Sequence, residues 1–302
     1  MPDKNRLIID VGTNSILALN AKISDGEISV ISDVKVTTRL GEGLQKSGLL
    51  SKEAMKRTIK AIAEIFAKKN FDSATVIGTE AVRKATNKSD FLELIKKECG
   101  LEPVVISGES EARLSYYGAF YNLHIDKSDI LLVDMGGGST ELIFGSGDNI
   151  TDSLSVPIGA MILKDATSTD SLKEYSSFAE IVFAKELERF SQNSPGTLVA
   201  TGGTITSAGA IYKKMTEFKG SEIHGMKLTA KILTEIGEKF ENLGPGKRKS
   251  LIPFDPHRAD LMLPGLGIFL TLLGIFKKDE IVISNGGLRY GAALRPELVV
   301  SC

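Results

Sequence analysis

A strand followed by a tight acidic turn occurs twice in this chain, and this duplication constrains the fold more than any other feature. The first copy, Leu7 to Ser15, reads LIIDVGTNS, and the second, Leu132 to Thr140, reads LVDMGGGST. In each copy an apolar strand ends in Asp-x-Gly, which places a carboxylate at its tip, and the turn after it exposes backbone N–H groups that can bind phosphate oxygens. The duplication predicts two similar domains that hold one polyphosphorylated substrate and a cation.

Chain length and composition agree with this arrangement. A chain of 302 residues exceeds the roughly 250–300 residues at which one hydrophobic core stops growing, and two domains are expected. A hydrophobic content of 42% and a charged content of 25% are typical of a globular α/β protein. Because the net charge is only −1, a polyanion must be attracted by local Lys and Arg residues and by backbone dipoles. A nucleic acid polymer is therefore not an expected partner.

Cysteine usage and apolar runs indicate the compartment. The only cysteines, Cys99 and Cys302, are far apart and outside any Cys-x-x-Cys motif, which predicts neither a disulfide framework nor a zinc site. The polar segment from Met1 to Arg6 leads directly into the first strand, without the pattern of a signal peptide. The longest uncharged run, Leu261 to Phe276, contains Pro264 and is shorter than the roughly 20 residues that span a bilayer. We therefore expect a cytoplasmic protein, no membrane partner and a buried helix at this run.

Hydrophobic periodicity predicts the same order of elements at the start of both halves. The turn residues Ser24 to Gly26 indicate a hairpin, and Ser51 is suited to cap a helix whose apolar residues recur on one face. In the first half we expect strands at 6–11, 17–22, 28–36, 74–77 and 103–106, and helices after Ser51 and at 89–98 and 111–121. In the second half we expect strands at 129–134, 140–146, 150–156, 198–200 and 280–284, and helices at 177–193, 204–214 and 228–242. The stretch 215–257 is rich in Lys, Glu and Gly and is interpreted as a surface elaboration.

Three further turns repeat the chemistry of the duplicated motif. Gly202 and Gly203 follow a predicted strand, as does Gly286, and both turns would direct a helix N-terminus at an anion. A third turn places Arg83 on the loop after a strand, where its guanidinium group suits bidentate binding of phosphate oxygens. One Gly-Gly turn alone is more often structural. Five such turns, each at a strand end, together favour a site for a polyphosphorylated ligand.

These motifs resemble the exopolyphosphatase and guanosine pentaphosphate phosphohydrolase family of the actin, Hsp70 and sugar-kinase superfamily. The resemblance extends over almost the whole chain and is most specific where Ile106 to Leu114 precedes Asp134 to Glu141. It implies two actin-like, ribonuclease H-like α/β domains, each with a mixed five-stranded sheet flanked by helices, and an active site in the cleft between them. The implied domains are residues 1–122 with 288–302, and residues 123–287.

The resemblance implies a Mg²⁺-dependent hydrolase that removes the terminal phosphate of polyphosphate, with guanosine pentaphosphate as the alternative substrate. Such a reaction needs an oriented water, a metal ion and anion donors. Glu111 is the expected general base, and Asp134, helped by Asp10 or Glu141, is the expected Mg²⁺ ligand. The expected phosphate-binding set comprises the clamp Arg83 together with Gly12, Thr13, Asn14, Ser15, Gly136, Gly137, Gly138, Ser139, Thr140, Gly202, Gly203 and Gly286.

The sequence leaves alternatives open for the general base and for the class of function. Glu109 and Glu80 are also acidic and near the expected site, and Ser110 and Asn285 depart from the residues common in the family at their positions. The Gly202 turn is also compatible with a small-molecule kinase. The departures at Ser110 and Asn285 are compatible with a non-catalytic sensor of nucleotides or alarmones. A kinase has no need for the Glu111 motif, and a sensor has no need for the full catalytic set, so the hydrolase is preferred. A homodimer is a candidate assembly.

Overall fold

The computed structural model describes residues 4–68, 70–168, 170–188 and 195–302. The chain divides into two compact units. The first contains the residues up to Asn122 together with Gly286–Cys302, and the second is Leu123–Asn285. The boundary after Asn285 lies two residues before the expected boundary between residues 287 and 288. The C-terminal segment is thus part of the first unit.

The described residues form a mixed α/β architecture. The strands are β1 (Lys4–Val11), β2 (Ser15–Ser24), β3 (Glu27–Thr37), β4 (Ser73–Gly78), β5 (Pro103–Val105), β6 (Ile130–Met135), β7 (Thr140–Ser146), β8 (Asn149–Val156), β9 (Thr197–Thr201), β10 (Lys227–Thr229) and β11 (Glu280–Ile283). The helices are α1 (Leu44–Ser47), α2 (Lys52–Phe66), α3 (Glu80–Lys84), α4 (Lys88–Cys99), α5 (Gly108–Ala119), α6 (Ala160–Ala166), α7 (Leu172–Glu186), α8 (Gly203–Tyr212), α9 (Ala230–Leu243), α10 (Met262–Ile275) and α11 (Leu288–Leu294). The last part of the predicted helix at 177–193 lies outside the described residues.

The sheet of the first unit has the order β3-β2-β1-β4-β5. Strand β1 pairs antiparallel with β2 and parallel with β4, and β4 pairs parallel with β5. The hairpin between β2 and β3 has a two-residue turn in which Asp25 and Gly26 have φ values of 49° and 84°. Both angles are positive, as a type I′ turn requires, and this explains the strong hairpin signal in the sequence.

Helix α2 begins where the sequence predicted. The Ser51 side chain accepts a hydrogen bond from the Ala54 N–H group, at 3.2 Å, and this satisfies one of the helix's unpaired amides. Its apolar stripe, which includes Met55 and Ile62, is buried in one core with Ile9 of β1. Burial of this stripe, rather than helix propensity alone, holds the helix on the sheet.

Helices α5 and α11 of the first unit approach one another so closely that only glycine fits. A Cβ atom on Gly118 of α5 would overlap the Gly287 carbonyl oxygen, and a Cβ atom on Gly291 of α11 would overlap the Leu114 carbonyl oxygen. Leu288 and Tyr290 fill the same core as Leu114, and the ring of Tyr290 stacks on that of Tyr121 at 4.2 Å between centroids. The C-terminal segment is therefore an integral part of the first core.

The second unit has a six-stranded sheet of order β10-β11-β9-β6-β7-β8. Strands β6, β7 and β8 repeat the antiparallel meander of the first unit, and β9 and β11 continue the sheet in parallel from β6. The expected number of five strands holds for the first unit. The second unit gains a sixth strand because β10 pairs antiparallel with β11.

The segment 215–257 is not a surface elaboration. It supplies β10 and α9, and the fully buried side chains of Leu233, Phe240 and Ile252 belong to the core of the second unit. Arg248, only 2% exposed, forms an ion pair with Asp170. The charged composition misled the prediction because α9 is amphipathic, with its Lys and Glu residues on the solvent face.

The apolar run predicted as a buried helix forms α10. The stretch Pro256–Ile275 is long and apolar enough to cross a membrane by length and composition, but 67% of its most apolar window is buried inside the protein. Leu266, Ile268 and Phe269 are fully buried in the core of the second unit. The structure therefore accounts for the apolar character of this helix by packing within the unit.

The contact between α5 and α11 predicts that Gly291→Ala lowers the free energy of unfolding by at least about 2 kcal/mol, because the added methyl group meets a backbone carbonyl that cannot move alone. The midpoint of urea unfolding measures this loss. The matched control is Gly274→Ala in α10, where a Cβ atom meets nothing within 4 Å. It should raise stability by roughly 0.5–1 kcal/mol, because alanine favours a helix over glycine. Equal effects of the two variants would contradict the packing argument.

Candidate active site

The two copies of the acidic turn adopt the same hydrogen-bonded geometry. The Gly12 N–H group donates to the Ser15 carbonyl oxygen at 3.1 Å, and the Gly136 N–H group donates to the Ser139 carbonyl oxygen at 3.0 Å. These two glycine amides therefore close the turns. The expectation that every amide of each turn binds phosphate needs correction at these two positions.

The amides between these closing bonds are available to a ligand. The N–H groups of Thr13 and Asn14 in the first turn, and of Gly137 and Gly138 in the second, have no acceptor in the part of the chain that the structure describes. Successive amides of a tight turn that lack acceptors form a concave site for an oxyanion. Anion binding by both turns stays a prediction, which these four amides would carry.

Neighbouring segments form hydrogen bonds that fix the second turn. The Ala160 and Met161 N–H groups at the start of α6 donate to the carbonyl oxygens of Gly136 and Gly137, at 3.2 and 2.9 Å. The hydroxyl group of Thr140 is fully buried and donates to the Ile158 carbonyl oxygen at 2.6 Å. The Thr140 side chain is thus used by the fold, while the carbonyl contacts turn the backbone amides of the loop outward.

Arg83 and Glu111 form an ion pair in the first unit. Arg83 lies on the one-turn helix α3, where the sequence predicted a loop, and its Nη1 atom donates to Glu111 Oε2 at 3.1 Å and to the Ile106 carbonyl oxygen at 2.8 Å. Both side chains are about one-third exposed, at 28% and 32%. The Nε and Nη2 groups of Arg83 have no acceptor among the described residues, and Nη2 lies 3.9 Å from where a Cβ of Gly108 would be. The Glu111 carboxylate is thus held beside two Arg83 nitrogen donors that no described residue uses.

The other acidic candidates have different surroundings. Glu109 is exposed and forms no ion pair within residues 4–68, 70–168, 170–188 and 195–302. Glu80 is half exposed and pairs with Lys84 one helical turn away, at 2.6 Å. Neither is oriented by a second element of the fold. The geometry therefore favours Glu111 among the three carboxylates.

Ser110 takes part in the cap at the start of α5. The Ser107 side chain caps the helix by accepting a hydrogen bond from the Ser110 N–H group at 3.1 Å, and it lies 3.2 Å from the Ser110 hydroxyl. Glu111 lies in the first turn after this cap, and its N–H group donates to the Ser107 carbonyl oxygen at 2.9 Å. A carboxylate here is stabilised by the positive end of the helix dipole. Ser110 thus serves the cap.

The second unit places two of the three predicted metal ligands opposite each other. Asp134 at the end of β6 pairs in register with Glu141 on β7, and both residues are half-buried. Glu141 Oε1 also accepts a hydrogen bond from the Ser155 hydroxyl at 3.0 Å. The register thus brings two carboxylate groups to adjacent positions on neighbouring strands. This donor set suits Mg²⁺, which commonly uses one or two carboxylates with water and substrate phosphates.

Asp10, the third predicted ligand, lies near the end of β1 in the first unit and is in register with Leu17 and Ile77 on the neighbouring strands. Burial works to lower the pKa of the Arg289 guanidinium group, but the Asp33 carboxylate outweighs it and raises that pKa, with smaller contributions from Tyr290 and Asp10. A role of Asp10 as a metal ligand stays a prediction. No group of three or more potential ligands occurs among the described residues.

Backbone packing accounts for two glycines of the predicted phosphate set, Gly202 and Gly286, and a third, Gly203, lies against the flexible end of the Arg258 side chain. Gly202 has a φ of 104°, and a Cβ there would overlap the Met135 carbonyl oxygen. Side-chain atoms at Gly203 and Gly286 would overlap the Arg258 guanidinium group and the Gly118 carbonyl oxygen, respectively. A role of these three residues in phosphate binding stays a prediction.

Asn285 is held by contacts that the sequence did not indicate. Its N–H group donates to His224 Nδ1 at 3.1 Å, and its side chain packs against Gly220, where any Cβ would overlap it. His224 lies in the stretch that was predicted to be a surface elaboration. His224 and Asn285 belong to no common sequence motif. The pairing of β10 with β11 brings these two residues together.

Residues 20–298 match the Ppx/GppA phosphatase family. The match covers most of the chain, and the chain therefore belongs to this family. The resemblance seen in the motifs is confirmed, together with the enzyme class, phosphoanhydride hydrolase, at the level of the family. The crystal structure of a Ppx/GppA family member from Aquifex aeolicus is 31% identical, covers 98% of each chain and superposes with a TM-score of 0.87, which confirms the two-unit α/β fold class.

Two curated proteins are similar over nearly the whole chain. The "Exopolyphosphatase 2" of Mycobacterium tuberculosis is 28% identical over 309 residues, which are 95% of this chain and 96% of that protein. The "Bifunctional 3-dehydroquinate synthase/phosphatase" of Fusobacterium nucleatum subsp. nucleatum is 31% identical over 310 residues. The matched region is 96% of this chain but only 46% of that protein.

The cap of α5 predicts that Ser107→Ala lowers both stability and phosphate release. Loss of the cap should cost about 1 kcal/mol of unfolding free energy, and fraying of the first turn should move Glu111 and lower turnover by roughly tenfold or more, since small misplacements of a catalytic group are costly. The matched control is Ser51→Ala, which removes an equivalent cap from α2. It should cost similar stability in urea unfolding and leave turnover unchanged. A similar loss of turnover in both variants would contradict the specific role of the α5 cap.

Proposed function

We propose that this protein is a magnesium-dependent exopolyphosphatase that hydrolyses the terminal phosphoanhydride bond of inorganic polyphosphate and releases orthophosphate. The observation that carries the proposal is the Arg83–Glu111 pair, at 3.1 Å, with the remaining Arg83 donors unused by the described residues. Hydrolysis of a phosphoanhydride needs a base for water and positive groups for the transferred phosphoryl. One partly exposed pair supplies both.

Each residue has a definite task in this reaction. Glu111 accepts a proton from the attacking water, whose oxygen forms the new bond to the terminal phosphorus, while the bond from that phosphorus to the bridging oxygen breaks. Arg83 holds the Glu111 carboxylate through Nη1 and donates from Nε and Nη2 to phosphoryl oxygens, where charge develops. The amides of Thr13 and Asn14, in the acidic turn of the same unit, hold further phosphate oxygens. The leaving group is the polyphosphate chain shortened by one phosphate unit.

Asp134 and Glu141 are proposed to hold the magnesium ion. Their in-register pairing on β6 and β7 gives two half-buried carboxylates on one face of the sheet. Bound Mg²⁺ would neutralise phosphate charge and help to orient the substrate.

Polyphosphate is preferred over guanosine pentaphosphate because the M. tuberculosis relative, similar over 95% of this chain, is named an exopolyphosphatase. Guanosine pentaphosphate offers the same terminal group to the same donors and is the second candidate. A kinase or a binding-only sensor gives no reason for a carboxylate held by an arginine. Cys99 and Cys302 are free thiols, which supports a cytoplasmic location, and a homodimer stays a prediction.

Glu111→Gln should lower kcat on polyphosphate by about two to four orders of magnitude, because glutamine cannot accept the proton of water. The assay is magnesium-dependent phosphate release, with polyphosphate and guanosine pentaphosphate compared in parallel. Glu109→Gln is the matched control, since it removes an exposed carboxylate two residues away that has no described partner. Its kcat should stay within about twofold of wild type. Wild-type-like turnover of the Glu111 variant would refute the general base.

Asp134→Asn should raise the magnesium concentration needed for half-maximal phosphate release by roughly tenfold or more, because a neutral amide binds a hard cation more weakly than a carboxylate does. Asp279→Asn, at an exposed position of the same unit, is the control and should leave the magnesium titration unchanged. A magnesium titration of the Asp134 variant that coincides with wild type would refute this ligand assignment.

A further inference from the structure

Thr79 lies between the first acidic turn and the helix that carries Arg83. It follows Gly78 at the end of β4, which pairs in register with Val11 at the end of β1, and it is only 5% exposed. Its N–H group and its hydroxyl group both donate to the Val11 carbonyl oxygen, at 3.4 and 3.2 Å. One buried residue thus links the ends of two neighbouring strands.

The hydroxyl group of Thr79 is used differently from what its position in the chain suggests. Thr79 directly precedes α3, where a threonine side chain usually accepts a hydrogen bond from an amide of its own helix. Within the described residues the Thr79 side chain forms no such cap. It donates instead to a carbonyl group 68 positions away. The hydroxyl therefore serves the contact with β1 and leaves α3 without a side-chain cap.

The Val11 carbonyl belongs to the peptide group that opens the first acidic turn. The other side of this planar group is the Gly12 N–H, which donates to the Ser15 carbonyl oxygen at 3.1 Å. Both sides of one rigid peptide group are therefore fixed, one by Thr79 and one by the turn itself. The next two amides of the turn are those that hold phosphate oxygens under the proposed function.

The backbone of Arg83 is placed relative to the same threonine. The Arg83 N–H group donates to the Thr79 carbonyl oxygen at 2.9 Å and closes the single turn of α3. This helix has only five residues, and a helix of that length is not stable in water by itself. The position of α3 therefore depends on its anchors, and Thr79 is the anchor at its N-terminal end.

The side chain of Arg83 completes a closed set of hydrogen bonds around the end of β4. The Ile106 N–H group donates to the Gly78 carbonyl oxygen at 3.2 Å, and Arg83 Nη1 donates to the Ile106 carbonyl oxygen at 2.8 Å. The same nitrogen holds Glu111. Because Thr79 directly follows Gly78, a shift of Thr79 away from β1 would move both the guanidinium group and the carboxylate that it holds.

We propose that Thr79 is a positioning residue, which fixes the Arg83 guanidinium group relative to the amides of the first acidic turn. All of these groups lie in the first unit. The inference rests on the proposed function, in which Arg83 and the turn contact one substrate. Donors that stabilise developing charge must be aligned before the reaction, and interactions made only in the transition state act on kcat. Thr79 therefore acts on kcat more than on KM.

Thr79→Val removes the hydroxyl group and keeps a β-branched side chain of similar shape. The kcat for polyphosphate should fall roughly tenfold to a hundredfold, as expected when catalytic groups are misplaced by a small distance, while KM stays within about threefold of wild type. Thr79→Ser keeps the hydroxyl group and should keep kcat within about threefold of wild type. A wild-type kcat in the valine variant, or equal losses in both variants, would overturn the role of the hydroxyl.

Thr58→Val is the matched control in the same unit. Thr58 is fully buried, and its hydroxyl group donates to the Ala54 carbonyl oxygen at 2.8 Å within α2. Loss of this bond should lower the midpoint of urea unfolding about as much as Thr79→Val does, while kcat stays within about twofold of wild type. A similar fall of kcat in both valine variants would show a general effect of lost stability and overturn the specific role of Thr79.

A double variant tests whether Thr79 acts through the arginine. Residues that act on one step through the same group have non-additive effects. In the Arg83→Ala background, Thr79→Val should therefore change the residual kcat by less than about twofold. A loss in this background as large as the loss in wild type would overturn the route through Arg83.

Amide hydrogen exchange separates failure of this inference from failure of the proposed function, because it requires no turnover. The Gly12 and Arg83 amides should exchange severalfold faster in Thr79→Val than in Thr58→Val, since only the first variant loosens both segments. If wild type releases no phosphate from polyphosphate, the proposed function fails, and the exchange rates still decide whether Thr79 holds the turn and α3 together. If wild type is active and both amides exchange equally in the two variants, the positioning role of Thr79 alone fails.

Discussion

The hydrogen bond that closes each acidic turn is the interaction on which the rest of the structure depends. From Gly12 to Ser15 and from Gly136 to Ser139 it reverses the chain directly after the central strand of each sheet. The reversal lets β1 and β6 pair antiparallel with the next strand while their other edges pair in parallel with β4 and β9. It also leaves a carboxylate and free amides at the strand end. Sheet topology and ligand chemistry thus arise from one local geometry, used twice.

The Arg83–Glu111 pair depends on a second constraint, the close contact of α5 with α11. Glu111 lies in the first turn of α5, and the glycines of the two helices let their backbones touch. This contact fixes the helix against the C-terminal segment, while Arg83 on α3 reaches Glu111 and the Ile106 carbonyl oxygen. A local cap, a glycine contact and one bridging arginine together orient a single carboxylate. Elements distant in sequence are needed to hold it.

The elements that sequence predicted best are those with a strong local cause. The β2–β3 hairpin follows from Asp25 and Gly26, α2 follows from its Ser51 cap and apolar stripe, and α10 follows from its continuous apolar run. The missed elements were short or depended on partners. Helices α3 and α6 have too few residues for a periodic signal, and β10 has three residues that become a strand only by pairing with β11. The segment 215–257 was misjudged because an amphipathic helix and a loop share a charged composition.

The sequence by itself determined the duplicated acidic turns, the family and the residue types available for the reaction, because these depend on short motifs whose chemistry is local. It left Glu109, Glu80 and Glu111 as competing bases, since all three are acidic and close in the predicted site. Only tertiary structure distinguishes them, because Arg83 is 28 positions from Glu111 and holds that carboxylate alone across two elements of the fold.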